Sequence, residues 1–302
     1  MSLRDVAASV RQRLLNLARD RGEDFGLMLT RYALERMMYR LSVSGHREQF
    51  ILKGAMLFAL WADDPHRPTR DLDLLGHGTI DIRRLEQIFR EVIGVEVEND
   101  ALEFLADTVR GERIREDEEY EGVRVHLEAR LAAARIKVQI DVGFGDVVTP
   151  TPEETEYPVL LDFPAPRLRT YPRETVVAEK FEAMVKLGIA NSRMKDFYDL
   201  WVMARDFKFE GALLSRAINA TFERRGTALP TEDPLALTEE FSDDPGKKTQ
   251  WAAFLRRLGG EVGGTSLAEV TKTLKEFLMP PVSAATQVET FSKSWPPAGP
   301  WR

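Results

Sequence analysis

The stretch FILKGAMLFALWADDPHRPTRDLDLLG, Phe50 to Gly76, decides how the chain is read. Near its end Asp71 and Asp73 alternate with Leu72 and Leu74. Side chains two residues apart on a strand share a face, so both carboxylates point one way and both leucines the other. Two like charges that close repel unless water or a cation neutralises them. Upstream, Phe50 to Leu52 reads as a short apolar lead-in and Gly54 to Trp61 as a helix opened by Gly54 and Ala55. A loop is expected from Pro65 to Pro68. The helix start offers close backbone approach and N–H groups to a phosphate, and the acidic strand offers oxygen ligands to a metal.

A third carboxylate lies further on. Ile136, Val138, Ile140 and Val142 alternate with Lys137, Gln139 and Asp141, and Val123, Val125 and Leu127 alternate with Arg124, His126 and Glu128. Both segments have the period of half-buried strands. Asp141 therefore sits opposite an apolar face, as Asp71 and Asp73 do. Three carboxylates suit Mg²⁺, which takes carboxylates together with substrate phosphates. Two such ions, about 3.5–4 Å apart, would serve the attacking and leaving oxygens of an in-line phosphoryl transfer. Each feature has a plainer reading by itself: a solvated edge strand, tight helix packing at Gly-Ala, a strand-end aspartate. Their succession in one segment favours a site.

Composition sets the bounds. With 302 residues, 43% of them hydrophobic, the chain can bury a sizeable core in one or two domains. It has no cysteine, which excludes disulfides and thiolate zinc sites, and its four histidines form no HExxH-like pair. A net charge of −7 argues against indiscriminate coating of nucleic acid but leaves room for a local basic cleft. No apolar run approaches bilayer-spanning length, and the N-terminus lacks a signal-peptide stretch. The expectation is a soluble, cytoplasmic protein with no membrane association.

Helical spacing recurs through Leu3, Val6, Val10, Leu14 and Leu17, then through Phe25, Met28, Tyr32 and Met37, and Ile82 to Ile93 reads as a further helix. GERIREDEEYEG, 111–122, reads as a solvated loop, and the proline-rich Thr149 to Pro172 as a linker. Helices return from Arg173 to about Met279, ahead of an irregular tail strapped down by Trp295 and Trp301. In the first of these helices Val176, Val177, Phe181, Met184 and Leu187 form an apolar stripe, with Glu179, Glu182 and Lys186 opposite. Lys180 falls within the stripe. Either its stem packs and the ammonium snorkels to water, or the stripe faces a cleft and Lys180 meets phosphate. On the next helix Lys195, Asp196 and Asp199 share one flank, with Met194, Phe197, Leu200 and Trp201 on the other.

FILKGAMLF…TRDLDLLG, IKVQIDVGFGD and EKFEAMVKLGIANSRMKDFYDLWVMA together resemble the AbiEii/AbiGii-type toxin nucleotidyltransferases, within the DNA polymerase β-like superfamily. The likeness runs from about Phe25 to Arg205, and the KDFYDL element makes it specific. It implies an α+β fold with a nucleotidyltransferase-like mixed-sheet core and a helical C-terminal domain. With the pattern along the chain, the expected division is N-terminal helices plus core, 1–165, the helical domain, 166–280, and the irregular tail, 281–302. It also implies Mg²⁺, in two ions with bound NTP, an RNA acceptor such as the tRNA 3′ end, and a cognate antitoxin protein. Asp71, Asp73 and Asp141 match the metal ligands. Lys180 matches the motif lysine, and Lys195, Asp196 and Asp199 the KDxxD element. Gly54 and Ala55 match the glycine-serine or glycine-glycine element, and Arg193 and Lys195 would add positive charge beside an otherwise acidic site. Catalysis is accordingly expected of Asp71, Asp73, Asp141, Lys180 and Asp196, and nucleotide binding of Lys53, Gly54, Ala55, Arg193, Lys195 and Asp199. Ala55 departs from the superfamily, which often has serine there, so backbone must replace any hydroxyl contact to phosphate. The alternatives are transfer to a small molecule or a protein, and nucleotide binding without transfer.

Overall fold

The helical period of the first 45 residues becomes two helices of 19 residues, α1 (Leu3–Arg21) and α2 (Phe25–Val43). Asp24 caps α2 by accepting from the Leu27 N–H, satisfying one of the donors that a helix start leaves unpaired. The computed structural model describes residues 3–62, 67–116, 120–258 and 264–302. The chain divides into two compact units, Met1–Gly145 with Pro152–Tyr171, and Asp146–Thr151 with Pro172–Arg302.

In the first unit the helices are followed by β1 (Phe50–Lys53), α3 (Phe58–Trp61), β2 (Asp71–Gly76), α4 (Ile82–Ile93), β3 (Leu102–Glu116), β4 (Tyr120–Leu131), β5 (Ala134–Phe144), β6 (Glu153–Glu156) and β7 (Arg167–Thr170). The strands form one sheet in the order β3-β4-β5-β2-β1-β7-β6. β2 runs parallel to β5 and β1 parallel to β7, while the other neighbours are antiparallel. The fold is α+β with a mixed-sheet core, as the sequence predicts.

Period-two patterning decides which face is covered. Val123, Val125, Leu127, Ala129 and Leu131 of β4 are buried, as are Ile136, Val138, Ile140 and Val142 of β5. α2 packs on β5, and α4 packs on β3 and β4. Each large apolar side chain removed from water contributes about 1.5–3 kcal/mol, so a one-residue slip that turned this set outward would be strongly disfavoured. The alternate residues, His126, Arg130, Arg135 and Lys137 among them, are exposed. Asp141 belongs to that second set.

Two expectations change here. Residues Gly111–Glu116 and Tyr120–Gly122, read as loop, are the ends of β3 and β4, and 117–119 lie outside the described residues. β3 itself escapes a period-two reading because its register shifts between Leu105 and Arg110. The proline-rich linker contains β6 and β7, which pair with each other, and β7 lies beside β1, so a division at 165/166 would part the two strands. Part of the expected Pro65–Pro68 loop also lies outside the described residues.

Beneath the sheet a charged cluster replaces apolar packing. Arg40 binds Asp100 through both terminal nitrogens at 2.6 and 3.0 Å, and Arg36 Nε donates to the same carboxylate at 3.0 Å. Tyr32 donates to the Asp100 carbonyl at 2.8 Å. Glu35, only 1% exposed, accepts the Leu160 N–H at 2.7 Å. Burial pushes its carboxyl up to about 7, opposed by that hydrogen bond and by Arg36. Its unfolded value is about 4.3, so between these pH values the folded chain holds a proton that the unfolded chain has released. The resulting stability is full below the lower value and is lost as pH rises through about 7. In urea unfolding, the parent should lose up to about 3 kcal/mol relative to Glu35→Gln over this window. Parallel pH profiles for the two proteins would contradict the assignment.

The second unit holds α5 (Arg173–Leu187), α6 (Met194–Asp206), β8 (Phe209–Glu210), α7 (Gly211–Arg224), α8 (Glu239–Asp243), α9 (Pro245–Arg257), α10 (Leu267–Thr286) and β9 (Ser294–Trp295). Phe181 meets Phe222 where α5 packs on α7, and Phe197 stacks on Phe241 at 5.1 Å. α10 continues through Pro280 and Pro281 to Thr286, past the stop expected near Met279. After it, β9 pairs with β8, Trp295 Nε1 donates to the Ala204 carbonyl and Trp301 Nε1 to that of Phe277. Two indoles fasten the tail. Among the described residues no helix is long and apolar enough to cross a membrane.

Candidate metal and nucleotide site

The site is assembled by strand register. β2 lies beside β5 with Asp73 opposite Asp141 and Asp71 opposite Gln139. Leu72, Leu74, Ile140 and Val142 turn into the core on the other face. One oxygen each from Asp71, Asp73 and Asp141 lies within 4.8 Å of the others, and all three side chains are partly exposed. Three hard ligands that close, open to solvent on one side, fit a divalent cation of the Mg²⁺ class with room left for substrate oxygens.

Their surroundings fix where each carboxylate points. The Thr69 hydroxyl donates to Asp71 Oδ1 at 2.6 Å. Arg124 of β4 stands opposite Asp141 and grips it with two parallel bonds, Nε to Oδ1 and Nη2 to Oδ2, both 2.8 Å. Gln139 Nε2 lies 3.3 Å from both oxygens of the same carboxylate. The bond to Asp141 makes Arg124 hold its proton still more firmly, with Glu112 and Asp71 adding to the effect against partial desolvation. Thr69, Arg124 and Gln139 were not picked out from the sequence. Arg124 was within reach of it, because it occupies the polar face of an alternating strand, and a two-residue turn at Ala132 and Ala133 sets the register that pairs it with Asp141.

Gly54 has a geometric reason to be glycine. Its φ is +73°, and a Cβ there would fall 1.9 Å from Asp73 Oδ2. The backbone therefore lies directly against the second metal-type carboxylate. The following segment corrects an expectation: Gly54–Leu57 is a 3₁₀ turn and α3 is only four residues long. With no long helix there is no large summed dipole, and any anion held here relies on the turn's own N–H groups. Lys53 stands opposite Asp73 in register, and its ammonium lies near Gly143 on β5, where a side chain would crowd it. Gly54→Ala should displace Asp73 and cost about 1–2 kcal/mol for the backbone conformation alone. Divalent-ion affinity and thermal stability should both fall. Parent-like values of both would refute the contact.

The remaining predicted residues lie in the second unit. Lys180 Nζ contacts Asp196 Oδ1 at 2.5 Å and Asp199 Oδ2 at 2.9 Å. The polar flank shared by Lys195, Asp196 and Asp199 is therefore split. Asp196 and Asp199 are buried with 8% and 0% of their side chains exposed, while Lys195 is exposed. Arg193 precedes α6, its N–H donating to Asn191 Oδ1. Glu182, expected on a solvated face, is buried and binds Arg225 at 2.8 Å and Thr227, and Arg225 also holds Asp146 at 2.9 Å. Its partners lie more than forty residues downstream, beyond the reach of a helical-period argument.

An acidic strand carrying two alternate aspartates, set beside a second strand that carries a third in a mixed sheet, fits an enzyme that transfers nucleotides with the help of a divalent ion. The chain belongs to the AbiEii family, described as nucleotidyl transferase AbiEii toxin of type IV toxin–antitoxin systems, whose pattern matches residues 36–273. It is a nucleotidyltransferase. Two crystal structures from Helicobacter pylori are similar in part. A candidate nucleotidyltransferase shares 15% identity over 85% of this chain and 95% of its own, with a TM-score of 0.45. JHP933 shares 14% identity over 84% and 87%, with a TM-score of 0.42. No curated protein matches the chain.

Proposed function

We propose that the protein transfers nucleotides from an NTP to an RNA acceptor, the tRNA 3′ end, in a Mg²⁺-dependent reaction, and that it does so as the toxin of a pair with a cognate antitoxin. The convergence of Asp71, Asp73 and Asp141 carries this reading, because binding without transfer gains nothing from three like charges held together. Divalent ions held there would neutralise the triphosphate and orient the reacting oxygens. Thr69 and Gln139 keep two of the carboxylates aimed, and Asp141 is assigned to favour loss of the acceptor hydroxyl's proton. Most of the barrier reduction comes from positioning and charge neutralisation. Gly54 and Ala55 are assigned to the nucleotide by the family motif, and Lys53 beside them is assigned with them. Lys180, Asp196, Lys195 and Asp199 are assigned on the same motif, and Arg193 on its positive charge.

Each labelled NTP, offered with Mg²⁺ to total RNA, should label molecules of tRNA size with one nucleotide preferred. Labelling should fall at least about tenfold between about 50 and 200 mM salt, as counterion release by phosphate-binding Lys and Arg requires. Label on no RNA with any NTP, or efficient transfer to an aminated sugar, would turn the assignment to another acceptor.

A further inference from the structure

We propose that Arg124 is a displaceable counter-ion of the acidic site, one that competes with a divalent ion for Asp141 and passes to substrate phosphate when that ion binds. The proposal rests on the metal reading of the triad given above. Its basis is the fork of two 2.8 Å bonds from Arg124 to Asp141. That fork engages both oxygens of the carboxylate whose neighbours, Asp71 and Asp73, converge within 4.8 Å. A guanidinium and a divalent ion at one carboxylate repel, so each weakens the other's hold. Planar paired N–H groups match a phosphate as well as they match a carboxylate.

The local structure allows the exchange. A third of the Arg124 side chain is exposed, against 16% for Asp141, so the arginine can turn while the aspartate stays. Gln139 reaches both Asp141 oxygens at 3.3 Å and would keep that carboxylate aimed after the arginine leaves. Glu112, directly across on β3, is a second acid within electrostatic reach and limits how far the guanidinium strays before phosphate arrives. Metal and nucleotide then help each other bind: the ion frees the arginine for phosphate, and phosphate removes the arginine from the ion's ligand. Such coupling is reciprocal by thermodynamic necessity.

Mn²⁺ titrations followed by calorimetry test this, with and without an NTP analogue whose α and β phosphorus atoms are joined by methylene. Mn²⁺ alone should bind Arg124→Gln at least about tenfold more tightly than the parent. The factor by which the analogue tightens Mn²⁺ binding should shrink in the same variant. Arg124→Lys, which keeps the charge without the fork, should bind Mn²⁺ alone much as the parent does and also lose coupling. Weaker Mn²⁺ binding by Arg124→Gln would make Arg124 a prop for Asp141 and overturn the proposal, as would undiminished coupling. A parent that binds no Mn²⁺ even with the analogue would instead refute the metal reading, and this proposal with it.

Discussion

Asp71→Asn should yield a protein that folds at least as well as the parent and transfers nucleotides about a thousandfold more slowly. The two effects have opposite signs for one reason. Without ions, three carboxylates converging within 4.8 Å repel, so neutralising one relieves the fold by up to about 1 kcal/mol. Asparagine can still accept the Thr69 hydroxyl, so local geometry should survive. In the reaction the same three charges are what a divalent ion needs, and losing one forfeits about 4 kcal/mol of transition-state stabilisation. Thermal unfolding in chelator and labelled-nucleotide incorporation measure the two sides on one preparation. A variant as active as the parent would remove Asp71 from the metal site.

For Lys180→Met the expected result is a large loss of stability, about 3–5 kcal/mol by urea unfolding. A lysine that snorkels from the apolar stripe of α5, or that is poised for phosphate, would lose little stability on this change. The structure reverses that expectation, because Lys180 neutralises two buried carboxylates, Asp196 and Asp199. Methionine would leave both charges in a poorly solvated place without their cation. Lost transfer in this variant is therefore ambiguous by itself. The triple replacement Lys180→Met, Asp196→Asn, Asp199→Asn removes the uncompensated charges and should recover much of the stability. If transfer returns with the fold, Lys180 serves structure alone. Transfer that stays absent in the restored fold supports its assignment to phosphate. A single variant as stable as the parent would mean that the cluster contributes little.

What could be read from the sequence followed periodicity. The alternation around Asp71, and that from Ile136 to Val142, fixed strands, buried faces and the shared orientation of three acids, because a period of two maps directly onto a half-buried strand. β3 was lost where its register shift breaks the alternation, and β6 and β7 because EETE and RLRT carry too few apolar residues to show a buried face. The charged end of the β3–β4 hairpin resembled a loop for the same reason. Glu182 fell opposite the apolar stripe of α5, and Asp196 and Asp199 on the polar flank of α6; that they are buried could not be read there, because the cations that pair with them come from another helix or from beyond a helix end. Gly54 was noticed, but its reason, the nearness of Asp73, is a three-dimensional fact.

The chain's route between its two units has a consequence for inheritance. After β5 it gives residues 146–151 to the second unit, returns to the first for 152–171, and leaves it again. Neither unit is one uninterrupted stretch of gene. A recombination breakpoint after 145 would part β6 and β7 from the rest of their sheet, while Asp146 would stay with its partner Arg225. A single crossover therefore cannot exchange either unit, whole and alone, for a homologue's.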